Sequence, residues 1–166
     1  TSRVSGGRRE LLYGIDGTFR VRGQDYLVLN WAQSFGNAAA VDRILDRSLA
    51  RGRWERRVSD GFTYGFEASR SGEDFHPAVG YQLRRNYTRF GDQVAYGWRP
   101  GPTSVLRRFQ VALNGYAYRD NSTGSLQSAQ LGPEWVVETK SGRRITMGAI
   151  ATPTPRKRAF TPRRGR

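Results

Sequence analysis

Apolar and polar residues alternate with a period of two along most of this chain, most clearly across residues 59–98. Asp60-Gly61 opens that stretch as a hairpin signal, because a tight primed turn needs a positive φ that glycine adopts freely. Phe62, Tyr64, Phe66 and Ala68 then fall on one side of an extended chain, and Thr63, Gly65, Glu67 and Ser69 on the other. A second run sets Phe90, Val94, Tyr96 and Trp98 against Gly91, Gln93, Ala95 and Gly97, with Asp92 breaking the apolar side. A strand reads this way when its two faces meet different media.

The same pattern recurs from end to end. Residues 1–10 read as a flexible lead-in. Tyr13, Ile15, Gly17, Phe19 and Val21 alternate with polar neighbours, Gly23-Gln24 turns the chain, and residues 26–35 return. Residues 37–49 fit either a short helix or an extended loop leading into an arginine-rich strand at 48–58. Further strands are expected at 62–70, 79–87, 88–99, 105–118, 127–139 and 143–150. Pro100-Gly101-Pro102 stops one of them, and Pro133, which cannot donate to a ladder, predicts a bulge or strand end. About nine strands joined by short turns make an all-β antiparallel up-and-down meander over 11–150. Residues 151–166, rich in proline and arginine, read as a disordered basic tail.

Composition refines the picture. Aromatic residues make up 12% of the chain, too many for a disordered polymer despite 20 glycines. The formal net charge of +14 is uneven: nine basic residues and no acid follow position 138, leaving 19 basic against 14 acidic residues before it. A basic balance suits nucleic acid or an anionic membrane surface and selects neither. With no cysteine, disulfides, thiolate chemistry and Cys-held metals are excluded. No apolar run is long enough for a transmembrane helix, and the polar first ten residues are no secretory signal; an exported chain would have lost its signal or carry it outside this piece.

Two settings produce this alternation. A soluble sheet packs its apolar face inward; a membrane barrel turns it to lipid and lines a lumen with the polar face. Expected strands of 9–15 residues match or exceed the about 9–11 that a tilted membrane strand needs. Aromatic residues near strand ends, among them Tyr13, Trp31, Phe62, Tyr64, Tyr96, Trp98 and Trp135, would serve as membrane-interface anchors. The soluble alternative treats each as ordinary core.

The segment GEDFHPAVGY at 72–81 resembles a recurrent motif of an uncharacterised bacterial family of outer-membrane β-barrel proteins. LLYGIDGTFRV, DGFTYGFEASRSGEDF, the run through YGWRPG and RDNSTGSLQSAQLGPEW occur in the order that family shows, so the resemblance covers 11–150. Members often carry an N-terminal domain similar to family-nine carbohydrate-binding modules, which is missing here, as are further strands and a terminal aromatic residue. The resemblance therefore implies a truncated or internal part of a transmembrane β-barrel. The outer membrane is its expected location. Its expected partners are the lipid bilayer, lipopolysaccharide and, through the missing domain, carbohydrate.

The candidate chemistry is thin. Gly72, Glu73, Asp74, Phe75, His76 and Pro77 gather two carboxylates and the one histidine, which a hydrolase or metal site would use. The simpler reading is an ordered loop: Asp74 as an Asx-turn acceptor, Phe75 as anchor, Pro77 fixing the exit. A lone histidine without a second ligand makes a poor zinc site, and no nucleophile-elbow or phosphate-loop motif accompanies it. No catalytic residue, cofactor or metal is expected, and the chain is not expected to be an enzyme. The arginines at 51, 53, 56, 57, 84 and 85 would line a lumen, face phosphates at a rim, or form a solvated face. Specific nucleic-acid binding is not expected; the alternative function, a soluble basic β-protein that binds nucleic acid, would place bases on Tyr116 and Tyr118.

Overall fold

The computed structural model describes residues 2–5, 8–35, 44–77 and 84–153, with side chains from Leu11 onward. Nine antiparallel strands form one sheet in strict sequence order: β1 (Ser2–Ser5), β2 (Arg8–Arg22), β3 (Asp25–Phe35), β4 (Ser48–Arg56), β5 (Gly61–Ser71), β6 (Tyr87–Trp98), β7 (Leu106–Asp120), β8 (Leu126–Thr139) and β9 (Arg144–Gly148). Each pairs only with its neighbours in sequence, so β1 and β9 are opposite edges and the sheet is not closed.

The number of strands agrees with the expectation, but its members differ. The stretch read as lead-in contributes β1 and the start of β2, paired from Ser2↔Leu11 to Ser5↔Arg8. Of the strand expected at 79–87, residues 78–83 lie outside the described residues. Arg84 and Arg85 are irregular, and Asn86 at φ 53° turns the chain into β6. Of the ambiguous 37–49 stretch, residues 37–43 also lie outside, and a single 3-10 turn, Ile44–Arg47, then feeds β4. β8 passes through Pro133 without a register shift there. The Pro133 carbonyl accepts from Ala149 N–H at 3.1 Å, so its missing N–H faces the short edge strand β9 rather than β7. Ala151, assigned to the tail, still bridges to Leu131; residues 154–166 lie outside the described part.

The register sorts side chains onto two faces. Leu27 pairs with Trp54, Trp54 with Phe66, Phe62 with Tyr96, Tyr96 with Val111 and Val111 with Trp135, so one face is apolar from β3 to β8. Arg53 pairs with Glu67 and Tyr116 with Gln130 on the other. The apolar face is the exposed one: Ile15 is 73% exposed, Phe62 51%, Phe66 53% and Phe90 53%. Ser69, Ala95, Ala112 and Val136 are buried on the polar face, whereas the buried Gln33 and Ser48, on the apolar side by register, lie at the strand ends next to the 36–47 connection. The sheet therefore curls around its polar side. Burying a large apolar side chain stabilises a fold by about 1.5–3 kcal/mol; twenty-two such side chains are exposed among the described residues, so that gain is not taken within the chain.

The two ends of the sheet also differ. Turns 23–24, 57–60, 99–105 and 140–143 lie at one end; the connections 36–47, 72–86 and 121–125 lie at the other, and two of these are long.

Candidate functional site

Three features carry the site: a charged ladder on the polar face, a packed loop at the long-loop end, and an aromatic band on the apolar face.

The ladder crosses β4, β5 and β6. Glu67 receives Arg51 Nη2 at 2.6 Å and Arg89 Nη1 at 2.8 Å, one on each carboxylate oxygen. Arg53 donates through Nε to Glu55 at 2.6 Å, and Arg57 donates to the other oxygen of Glu55 at 2.6 Å. Alternation puts these side chains on one face at adjacent register positions, where opposite charges attract most strongly. The Glu67 side chain is only 10% exposed, and in such a place an ion pair is held by geometry and screened little by salt. Asp92 joins from an apolar-face position. At φ 147°, next to Gly91 at φ 153°, its backbone turns the carboxylate to the polar side, where Oδ2 lies 2.6 Å from Arg53 Nη1. That contact is a charge contact outside hydrogen-bond angles, and Oδ2 is buried without another donor. Gly65 leaves the room: a Cβ there would stand 2.8 Å from both Asp92 Oδ2 and Arg53 Nη2.

Toward the long-loop end, Tyr116 donates to Gln130 Oε1 at 2.9 Å, Arg84 stacks 4.2 Å over Tyr118, and Arg89 lies 5.7 Å from the Tyr116 ring. These tyrosine faces are covered by the protein's own guanidinium groups.

The 72–77 loop is anchored by one buried ring. Phe75 is 3% exposed, the largest apolar side chain among the buried residues described, and Ser48 and Ser71 beside it are 2% and 0% exposed. Gly72 donates to Ser48 C=O at 2.9 Å, and its missing Cβ would lie 2.2 Å from Asp46 O, so only glycine admits the 3-10 turn here. Asp74 works through its backbone: its N–H donates to Asp46 C=O at 2.8 Å and its C=O accepts from His76 Nδ1 at 2.9 Å. This replaces the expected Asx-turn role of its carboxylate. With Nδ1 donating, Nε2 is the acceptor for Arg85 Nη1, which ties the loop to the start of β6. Backbone N–H of His76 reaches Ser34 Oγ at 3.2 Å, and Asn121 Nδ2 reaches Ser71 C=O at 2.9 Å. Glu73 and Asp74 point to solvent, Pro77 is half-buried, and no three metal-ligating side chains cluster among the described residues.

The interface aromatics are brought together in part. Trp54, Tyr64, Phe62 and Phe66 form consecutive ring contacts of 5.3–5.9 Å, and Tyr96, Trp98 and Phe109 continue them at 6.0 and 4.4 Å. Trp135 lies beside Val111 in the next strand. This band runs along the short-turn end. Tyr13 stands near the other end, stacked on Phe35 at 5.2 Å, while Trp31 sits between, beside Ile15. Asp25 and Arg56, joined at 2.6 Å, end the apolar face below Tyr64, with the Arg56 guanidinium 5.3 Å from that ring.

Sequence reasoning missed the central acids of the ladder, Glu55 and Glu67; only their place on the polar face of arginine-bearing strands signalled them. No family model, curated protein or solved structure matches the chain.

Proposed function

We propose that this chain forms part of the wall of an outer-membrane β-barrel, apolar face to lipid, charged ladder to a water-filled lumen, without catalysis of its own. One observation carries the reading. Large apolar side chains are exposed on one face, while on the other the carboxylates of the arginine pairs, Glu55, Glu67 and Asp92, are only 10–19% exposed, the inverse of a soluble sheet. Extended apolar patches of this kind mark surfaces made for lipid or protein. Short turns at one end and long connections at the other agree with the periplasmic and outer ends of such barrels. The aromatic band would then stand at the inner interface, and the 72–77 loop would close over the outer mouth of the lumen. Unpaired edges at β1 and β9 call for further strands, because a lipid-exposed edge leaves backbone groups without partners. Detergent extraction and heat-modifiable gel mobility test it: membrane association with a mobility change on boiling is expected, and a compact monomer soluble in plain buffer contradicts it.

A further inference from the structure

The 99–105 and 140–143 turns stand side by side at the short-turn end, joined by Lys140, whose N–H donates to Val105 C=O at 3.0 Å and whose ammonium donates to Pro102 C=O. Residues 99–107 and 139–144 hold five cations and no acid. Two of the five are answered from neighbouring segments: Asp60 pairs with Arg99 at 3.1 Å and Glu138 with Arg144 at 3.0 Å. Arg107, Lys140 and Arg143 are exposed, and no ion pair to a carboxylate is seen for them among the described residues. Just inside them the register runs Trp98–Phe109–Val137–Ile145 across β6 to β9 on the apolar face. Arg107 and Arg143 lie two residues outward of Phe109 and Ile145, and Lys140 three residues outward of Val137. Val105 and Ile145 are exposed beside the cations, at 78% and 54%.

We propose that these joined turns are the contact of the membrane wall with anionic lipid headgroups, which Arg107, Lys140 and Arg143 meet while the Trp98–Ile145 row stays at the border of the hydrocarbon. The inference rests on the membrane-wall reading and adds to it the charge of the lipid that this corner selects. Uncompensated cations in one patch attract a negative surface within a Debye length, about 8–10 Å at ordinary salt. The exposed aliphatic side chains beside them select lipid over nucleic acid: Val105 and Ile145 have a hydrocarbon to enter in a bilayer and no counterpart on a polynucleotide. The nearby rings are engaged with each other, Trp98 with Phe109 at 4.4 Å, rather than open to bases.

The protein is reconstituted in phosphatidylcholine vesicles carrying dansyl-labelled phosphatidylglycerol or dansyl-labelled phosphatidylcholine, and energy transfer from tryptophan reports enrichment. Phosphatidylglycerol is expected to be enriched, and less so as salt is raised. Arg107→Gln, Lys140→Gln and Arg143→Gln should each lower that preference about fivefold, the loss of one cation near an anionic surface. Arg119→Gln, an exposed cation at the opposite end, should leave it in place. Heat-modifiable mobility checks insertion of every variant, and Lys140→Gln keeps the backbone bond to Val105. Equal enrichment of the two lipids, a preference unmoved by salt, or one lowered as much by Arg119→Gln as by the turn variants overturns the proposal while leaving the membrane wall standing. A labelled oligothymidylate bound in detergent and released by the three turn substitutions together, with no lipid preference, overturns it in favour of nucleic acid. A chain that does not enter vesicles overturns both the contact and the wall.

Discussion

The Asp92 carboxylate lies 2.6 Å from Arg53 Nη1 although Asp92 belongs, by register, to the apolar face of β6. The chain reaches this by holding Asp92 at φ 147° and Gly91 at φ 153°, in territory that L side chains avoid. A strained backbone persists only where the surroundings fix it, and here Arg53 and the room above Gly65 do so. Asp92→Ala therefore removes a partner of Arg53 and is expected to destabilise by about 1–3 kcal/mol in urea unfolding followed by tryptophan emission. Gly91→Ala should cost at least as much, since its Cβ would fall 2.2 Å from Gly115 O. A neutral result for both would show that the crossing is not held.

Glu67 bridges two arginines, so its loss leaves two cations, the largely covered Arg89 and the partly exposed Arg51, without their shared acid. Glu67→Gln keeps the shape and is expected to cost about 2–3 kcal/mol, less than the ~3–5 of a fully buried pair because Arg51 is partly exposed. A double-mutant cycle with Arg89→Met should give a coupling near 1 kcal/mol or more, typical of groups in direct contact. Additive effects would place the two side chains apart.

The 72–77 loop is expected to respond to packing rather than to chemistry. Phe75→Ala should cost about 3–5 kcal/mol, the range for emptying a buried phenylalanine site. Its signature is faster hydrogen exchange at Asp74, whose N–H is bonded to Asp46. His76→Ala loses two exposed contacts, to Asp74 C=O and to Arg85, but leaves the Asp74 N–H bond to Asp46 in place and should leave that exchange nearly unchanged. The reverse order would give His76 a role the loop geometry does not.

Asp120 closes the 121–125 turn beyond the part of β7 that a bilayer would cover. Its carboxylate accepts from Thr123 N–H at 2.8 Å, Ser122 N–H at 2.9 Å and Gln127 Nε2 at 3.0 Å. The Thr123 bond leads in holding its pKa below the ordinary 3.8, against a smaller opposing effect of desolvation. A lowered folded-state pKa means that this stabilisation is complete above the unfolded value and is lost as pH falls through the lower, folded one. Protection of the Thr123 amide, its exchange relative to the intrinsic rate at each pH, should thus fall below about pH 3.8, with little change between pH 5 and 8. Asp120→Asn should flatten that acid response.

Much of the sheet was legible because its signal is local. Alternation at Phe62–Tyr64–Phe66 and Tyr96–Trp98 survives any tertiary arrangement, and Gly23, Gly61 and Gly142 take the positive φ their turns require. Pro133 misled because the cost of a missing N–H depends on which neighbour it faces, and that is a property of register. β1 was missed because residues 2–5 carry no alternation and are paired by β2 alone. The ladder was hidden for a related reason. Arg53 and Glu67 are separated in sequence, and only pairing of β4 with β5 sets them side by side. Asp92 read as a flaw in the apolar run because nothing in the alternation announces a backbone that turns a side chain to the opposite face.

The sharpest discrimination between lipid and water uses the four tryptophans. Trp31, Trp54, Trp98 and Trp135 all stand on the apolar face. In vesicles of phosphatidylcholine brominated along its acyl chains, their emission is expected to be strongly quenched, while iodide in the buffer has little effect. Quenching by iodide with none from the brominated chains would contradict the lipid-facing orientation outright.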